Sequence, residues 1–291
     1  MSKQDEILFL INPISGVGKK IDAPALIKKH LSNHKFRVAY TEYRNHGSEI
    51  ACKEKDNVKA IIAIGGDGTV NEVAGALVHS ECALGIIPAG SGNGLARHLK
   101  IPLNIKSAIE RINQFEPVLM DTGTVNKRFF AGTAGFGFDG YIAHCFDQHH
   151  KRGFLSYATL IAREYKKYQP QEYEIEINGE HIKTNALFCA VANSSQFGNG
   201  FTISPSSDMK DGKMELVLVD KFPMIESMIV GTRFFTQSIE NSKHYRKYTF
   251  AKNITIKVLS QDEIHFHLDG EPLQDGLQFD IAIHPKSLYI I

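Results

Sequence analysis

Four short stretches of the chain carry side chains whose types and spacing could do chemistry. Three are glycine-bearing turns: Asn12-Pro13-Ile14-Ser15-Gly16-Val17-Gly18-Lys19-Lys20, Gly65-Gly66-Asp67-Gly68-Thr69-Val70-Asn71-Glu72 and Pro88-Ala89-Gly90-Ser91-Gly92-Asn93-Gly94. The fourth is Leu268-Asp269-Gly270-Glu271, two carboxylates on either side of a glycine. Glycines let main-chain N–H groups come within contact distance of a polyphosphate, because no Cβ stands in the way. A turn at the carboxyl end of a parallel strand also sits beside a helix N-terminus, where an anion is stabilised. Asp67 is the odd member of such a set. A carboxylate beside phosphates is repulsive unless it meets Mg²⁺, a ribose hydroxyl or a substrate hydroxyl. Thr69 and Asn71 fall in the first turn of the helix that follows, able to cap it or to hydrogen-bond ligand oxygens. In residues 268–271 either acid could accept a hydroxyl proton, although an Asp-Gly pair is also an ordinary hairpin turn.

The elements around these turns favour a ligand reading. Ile7-Leu8-Phe9-Leu10-Ile11, Arg37-Val38-Ala39-Tyr40, Ala60-Ile61-Ile62-Ala63-Ile64 and Leu84-Gly85-Ile86-Ile87 read as strands, the apolar ones as buried on both faces. Residues 21–32, 46–55, 69–79, 92–100 and 105–113 read as helices. Strict alternation of strand and helix predicts right-handed crossovers and a mainly parallel sheet. All three glycine turns then lie beyond the carboxyl ends of strands of one sheet, where ligands bind in open α/β folds. The first turn is not a Walker A loop, since G-x-x-x-x-G-K-[ST] is absent.

After about residue 125 the pattern changes to period-two alternation and polar turns, with strands expected at 128–134, 172–178, 185–192, 214–220, 253–259, 263–268 and 279–283. Asn178-Gly179 and Asp211-Gly212 are hairpin-type punctuation, and helices are expected over about 153–168 and 223–240. Two domains follow from this change: an α/β domain over 1–125, completed by 284–291, and a β-rich domain over 126–283. The final run, Ser287-Leu288-Tyr289-Ile290-Ile291, is apolar and should dock in a sheet.

The 291 residues are 43% hydrophobic and 22% charged, with a formal net charge of +1. Nothing in that balance points to nucleic acid, so an anionic partner must be held by local groups. The four cysteines are far apart with no C-x-x-C pair, which fits reduced thiols in a cytoplasm rather than a disulfide framework. The polar start of the chain lacks the order of a signal peptide. No apolar run approaches the roughly 18 residues that span a bilayer, so membrane contact is expected to be peripheral.

The set N-P-x-S-G at 12–16, G-G-D-G-T-x-N at 65–71, P-x-G-S-G-N-x-L-A at 88–96 and L-D-G-E at 268–271 resembles the diacylglycerol kinase and sphingosine kinase superfamily, especially its bacterial soluble lipid kinases. G-G-D-G-T alone is shared with NAD kinases; the other two loops select the lipid branch. The resemblance implies an N-terminal α/β nucleotide-binding domain and a C-terminal β-sandwich-like domain. It implies an ATP-dependent kinase that phosphorylates the hydroxyl of diacylglycerol, a sphingoid base or a related lipid alcohol, with Mg²⁺ bridging the β- and γ-phosphates. It assigns nucleotide contacts to Asn12, Pro13, Ser15, Gly16, Thr41, Gly65, Gly66, Asp67, Gly68, Thr69, Asn71 and Ser91. It places the catalytic carboxylate at Glu271 or Asp269, Glu271 being slightly preferred. It further implies a structural Mg²⁺ in residues 207–213, with the carboxylate of Asp211 and main-chain oxygens of Asp208 and Lys213. Many bacterial diacylglycerol kinases carry Asp after the Asn of the third loop, whereas Gly94 stands here, as in sphingosine kinases. The lipid head group and the oligomeric state are left open, a homodimer being one outcome.

Two other functions compete: an NAD kinase-like transfer to a ribose hydroxyl, and a nucleotide-binding regulatory module without turnover. Two further patterns carry less. His265-x-His267-x-Asp269 has a spacing compatible with a metal, but alternation places ordinary polar residues there as well. The 151–168 helix, with Lys151, Arg152, Arg163, Lys166 and Lys167, could touch anionic membrane, yet its apolar stripe more simply packs on its own sheet.

Overall fold

The computed structural model describes residues 4–16, 22–148, 154–260 and 264–291. Val17 to Lys20 of the first turn, and Lys151 and Arg152 of the basic helix, lie outside the described residues. The chain divides into two compact units, Met1–Asp121 with Lys286–Ile291, and Thr122–Pro285.

In the first unit strands and helices alternate: β1 (Gln4–Ile11), α1 (Ala23–His30), β2 (Lys35–Tyr40), α2 (His46–Glu54), β3 (Val58–Gly65), α3 (Asp67–Leu77), β4 (Ala83–Pro88), α4 (Gly94–His98) and α5 (Ile105–Ile112). All neighbours in the order β2-β1-β3-β4 pair in parallel. Ile7 to Leu10 and Ala60 to Ala63 are fully buried, as helix-covered parallel strands require. Two helices start on side-chain caps: Asp22 accepts the Ala25 N–H at 3.1 Å and Asn104 the Ser107 N–H at 3.2 Å. Because the sheet is parallel, the turns after β1, β3 and β4 leave from the same edge.

Strand β5 (Val118–Val125) runs from the first unit into the second. There follow β6 (Arg128–Phe130), β7 (Thr133–Gly137), α6 (Phe138–Asp147), α7 (Phe154–Tyr165), β8 (Gln171–Ile177), β9 (Glu180–Ala186), β10 (Phe188–Ala192), β11 (Gln196–Gly198), β12 (Phe201–Thr202), β13 (Met214–Val219), α8 (Ser227–Phe235), β14 (Tyr245–Phe250), β15 (Ile254–Val258), β16 (Ile264–Leu268), β17 (Glu271–Asp275) and β18 (Gln278–Ile290). One antiparallel sheet has the order β14-β13-β10-β7-β16-β17. The strands β15 and β8 lie between β18 and β9 in a second antiparallel layer. Phe136 and Phe266 from the first layer meet Phe279 of β18 with ring centroids 4.7 and 5.0 Å apart, and this core holds the two layers together as a sandwich. The outer face of β10 and β13 is covered by α6, α7 and α8. The end of β18 returns to the first unit, where Ile290 pairs in parallel with Leu84.

Several expected elements are divided. The strand read over 128–134 is two, β6 and β7, and the one read over 185–192 belongs to β9 and β10. The helix read over 223–240 is a short 3-10 turn, Met224–Glu226, followed by α8, which stops at Phe235 just before Gln237 takes a left-handed φ of 56°. Asn178-Gly179 does close a two-residue hairpin between β8 and β9 with both φ values positive, whereas Asp211-Gly212 joins no strand pair.

Candidate active site

The three glycine turns of the first unit are braced against one another by their own motif side chains. Asn12 Nδ2 donates to Thr69 Oγ1 at 2.9 Å, tying the first turn to the second. Within the first turn, Ser15 Oγ donates to the Asn12 carbonyl at 2.8 Å, and Pro13 and Gly16 are exposed. Asp67 ties the second turn to the third: its carboxylate accepts the Asn93 and Gly94 N–H groups, each at 2.8 Å. The Gly65 carbonyl also accepts the Ala89 N–H at 2.8 Å. Inside the third turn Asn93 takes a left-handed φ of 52°, and its amide bonds both the N–H and the carbonyl of Gly90. A Cβ on Gly90 would stand 2.5 Å from the Gly66 Cα, so only glycine lets these two turns touch.

Thus Asn12, Gly65, Gly66, Asp67 and Thr69 fall into one connected group. The buried Thr41 follows β2, its N–H bonded to the Ile11 carbonyl at 2.9 Å. Gly68 and Asn71 are partly exposed on α3, and Ser91 is exposed on the third turn. Glu72 adds a brace that the sequence reading did not assign: its carboxylate accepts the Asn45 N–H at 2.8 Å and the Gly47 N–H at 3.0 Å, holding the start of α2. Its place one residue after the G-G-D-G-T-x-N motif was the available signal.

In the second unit Leu268-Asp269-Gly270-Glu271 is a two-residue hairpin, Leu268 pairing with Glu271, with φ of 50° at Asp269 and 85° at Gly270. The two acids differ in their surroundings. Asp269 turns back on the sheet, where one carboxylate oxygen accepts the Gly132 and Thr133 N–H groups at 2.7 and 2.8 Å and the other accepts Ala131 N–H at 2.7 Å. Glu271 begins β17, half-buried. The turn is also held from beneath: Gly270 N–H donates to His267 Nδ1 at 3.2 Å, and His267 Nε2 lies 2.7 Å from Asp139 Oδ2 on α6. His267 and Asp139 are both buried. Burial lowers the His267 pKa, but the charge and hydrogen bond of Asp139, with a further contribution from Asp269, outweigh it and hold it above the ordinary value. The pair fits only because residue 135 is glycine; a Cβ there would lie 2.0 Å from Asp139 Oδ2 and 2.4 Å from His267 Nε2. Asp139 was not singled out from the sequence, though the run Gly135-Phe136-Gly137-Phe138-Asp139-Gly140 has the density of glycine around one acid seen at 65–68.

With His267 bonded to Asp139 and Gly270, and Asp269 bonded to three main-chain N–H groups, the metal spacing read over 265–269 gathers no ligand set. His265 stacks instead on His144, 3.9 Å between centroids. In residues 207–213, Asp211 Oδ1 accepts the Lys213 N–H at 2.9 Å and Asp208 Oδ1 the Lys210 N–H at 3.1 Å. Ser207 Oγ donates to the buried Glu215 at 2.6 Å, and burial, with the Asp211 charge adding to it, raises the Glu215 pKa. The residues implied to hold an ion here offer oxygen donors of the kind Mg²⁺ takes, while both carboxylates are engaged by N–H groups of their own loop and no cluster of three acids, cysteines or histidines that could hold a metal is found among the described residues.

Residues 6–125 match the family model described as the diacylglycerol kinase catalytic domain, and residues 132–291 match that of the YegS C-terminal NAD kinase beta sandwich-like domain. The chain is similar to a diacylglycerol kinase of Bacillus subtilis (strain 168), 30% identical over 282 residues that cover 90% of this chain and 88% of the relative. The chain belongs to the diacylglycerol kinase family. A second curated relative, "Probable lipid kinase YegS" of Escherichia coli O17:K52:H18, is 30% identical over 244 residues, covering 80% of this chain and 78% of its own. In fold this family member resembles the crystal structure of a diacylglycerol kinase from Bacillus anthracis str. Sterne, with a TM-score of 0.72 at 20% identity over 99% of this chain and 96% of that one. The α/β domain and the β-sandwich are those of the family, and family membership brings phosphotransfer of the lipid kinase type.

Proposed function

We propose that this lipid kinase transfers the γ-phosphoryl group of ATP to the hydroxyl of diacylglycerol, a sphingoid base or a related lipid alcohol in phospholipid metabolism, meeting its acceptor at a membrane surface from the cytoplasm. The observation that carries this reading is the bracing of the three glycine turns by Asn12, Thr69 and Asp67 at one edge of a parallel sheet. Phosphoryl transfer through a loose transition state rests on positioning and on charge stabilisation. A turn cluster held rigid by its own side chains supplies main-chain N–H groups at fixed positions, with no reorganisation when charge develops. Pro13, Ser15, Gly16, Thr41, Gly65, Gly66, Gly68, Asn71 and Ser91 complete the proposed nucleotide contacts.

Glu271 orients the acceptor hydroxyl and takes its proton late. Asp269 shapes the turn, because its lone pairs already serve three N–H groups. Mg²⁺, when bound with ATP, neutralises charge on the β- and γ-phosphates; a second ion would be held by Asp211 with main-chain oxygens of Asp208 and Lys213. The test is an assay with labelled ATP and mixed lipid micelles. Label in a lipid product that disappears in Glu271→Gln supports the reading. Label in NAD and in no lipid would assign the chain to NAD kinase-like chemistry, and ATP binding without any product would make it a regulatory module.

A further inference from the structure

The helix α8 is apolar on two opposite sides. Val230 and Phe234 are buried against the outer face of β10 and β13. On the other side Ile225 is 88% exposed, Met228 83% and Ile229 59%, with Met224 and Phe235 exposed beside them. Residues 225, 229 and 228, 235 are one and two turns apart, so these side chains form a continuous stripe. Single exposed apolar residues need no explanation, but a contiguous stripe of large ones marks an interaction surface.

The charges around the stripe choose its partner. Lys166 and Lys167 are exposed at the end of α7, and that end abuts the approach to α8: Lys221 Nζ donates to the Tyr168 carbonyl at 2.7 Å and Tyr165 Oη to the Phe222 carbonyl at 2.7 Å. Arg233 lies within α8, its guanidinium on the Asn241 carbonyl. The acids nearby are matched by bases. Glu226 is held by Lys243 at 3.1 Å and His244 at 2.8 Å, and Glu240 by Lys247 at 2.7 Å. An apolar stripe with a basic surround is the pattern of a helix that lies in the surface of an anionic bilayer, its apolar face among the acyl chains and its lysines at the head groups. We infer that α8 and the 3-10 turn before it, Met224–Glu226, dock the protein on an anionic lipid surface. This inference rests on the lipid-kinase reading, which requires a bilayer-held acceptor.

The chain has no tryptophan, so Met228→Trp installs a single reporter at the centre of the stripe. With phosphatidylcholine vesicles containing phosphatidylglycerol its emission should shift to the blue and be quenched by lipid-borne nitroxide, and with phosphatidylcholine alone the shift should be weaker. The triple variant Ile225→Ser, Met228→Ser, Ile229→Ser should sediment with the anionic vesicles about 10- to 100-fold less than the parent. Its thermal unfolding should be unchanged, because the three positions face solvent. It should lose turnover of a long-chain diacylglycerol held in vesicles and keep that of a short-chain, water-soluble one. Unaltered vesicle binding by the triple variant overturns the inference. So does a parent that is dimeric by light scattering and becomes monomeric with the triple substitution, which would assign the stripe to a second copy of the chain. Vesicle binding that follows the stripe while no lipid alcohol is phosphorylated in any form would leave the surface standing and overturn the kinase reading instead.

Discussion

The edge of the parallel sheet and the β16–β17 hairpin solve the problem of holding polar groups still in different ways. At the sheet edge rigidity comes from short bonds between neighbouring turns, each made by a motif residue: Asn12 to Thr69, and Asp67 to Asn93 and Gly94. At the hairpin it comes from below, through a buried acid–histidine pair and a carboxylate folded back onto three N–H groups. The first arrangement spreads its function over many weak contacts. The second concentrates it, so single substitutions there should separate chemistry from stability more sharply.

The largest effect is expected at Glu271. Glu271→Gln keeps the shape and removes the charge proposed to orient the acceptor hydroxyl, so kcat should fall about 10²- to 10⁴-fold with little change in KM for ATP. Its unfolding temperature should stay near that of the parent. A kcat within a few-fold of the parent would remove Glu271 from the chemistry. Asp269→Asn should do the reverse in kind. The amide replaces one oxygen with a donor that faces main-chain N–H groups, and a loss of about 2–4 kcal/mol in unfolding free energy is expected. Activity should fall only as far as the folded fraction and the turn geometry do. If Asp269→Asn abolishes turnover in a protein as stable as the parent, the roles of the two acids are exchanged.

The sheet edge should respond more weakly. Asp67→Asn disturbs two N–H acceptances, a loss of about 1.5–3 kcal/mol, and it loosens the third turn from the second. Nucleotide binding, read by calorimetry, should weaken while the sandwich of the second unit keeps its stability. Unchanged affinity would show that the glycine contacts, the Ala89–Gly65 main-chain bond and the Asn12–Thr69 bond hold the turns without Asp67.

The same contrast explains what could be read from the residues. The alternation of apolar runs and helical patterns to residue 112 is local, and β1 to β4 and α1 to α5 lie within a few residues of where periodicity puts them. The candidate turns are contiguous in the sequence, so residues 12–16, 65–71 and 88–96 could be read as one set, and the structure does bring them together. The bonds between them were not legible, because a pair such as Asn12 and Thr69 is set by strand order. Asp67 shows the limit well. Its charge suggested a metal or hydroxyl partner, and its carboxylate bonds the backbone of the next turn. In the second unit α6 was hidden by the glycines of 135–140, which weaken a helical pattern but let the helix approach β16 closely. The strand β17, Glu-Pro-Leu-Gln-Asp, was hidden by its proline, which is tolerated because β17 is at the edge of its sheet.

The smallest effect, and the one that best resolves how the hairpin is held, is the pH dependence of the Asp139–His267 pair. Because the His267 pKa is raised from 6.5, the folded protein binds this proton more tightly than the unfolded chain. The stabilisation from the protonated pair is therefore complete below about pH 6.5 and is lost as pH rises through the folded-state value. Asp139→Asn removes the charge, so its deficit in unfolding temperature should be larger at pH 6 than at pH 8.5. Activity should move the other way. Only the neutral ring, with its hydrogen on Nε2, accepts the Gly270 N–H at Nδ1, so acidification trades the bond that holds the turn for the ion pair. The acid limb of the kcat profile should then lie at lower pH in Asp139→Asn than in the parent, since without the carboxylate charge the ring stays neutral further into acid. A limb that does not move would leave the pair a structural support beneath the hairpin, with no hold over the position of Glu271.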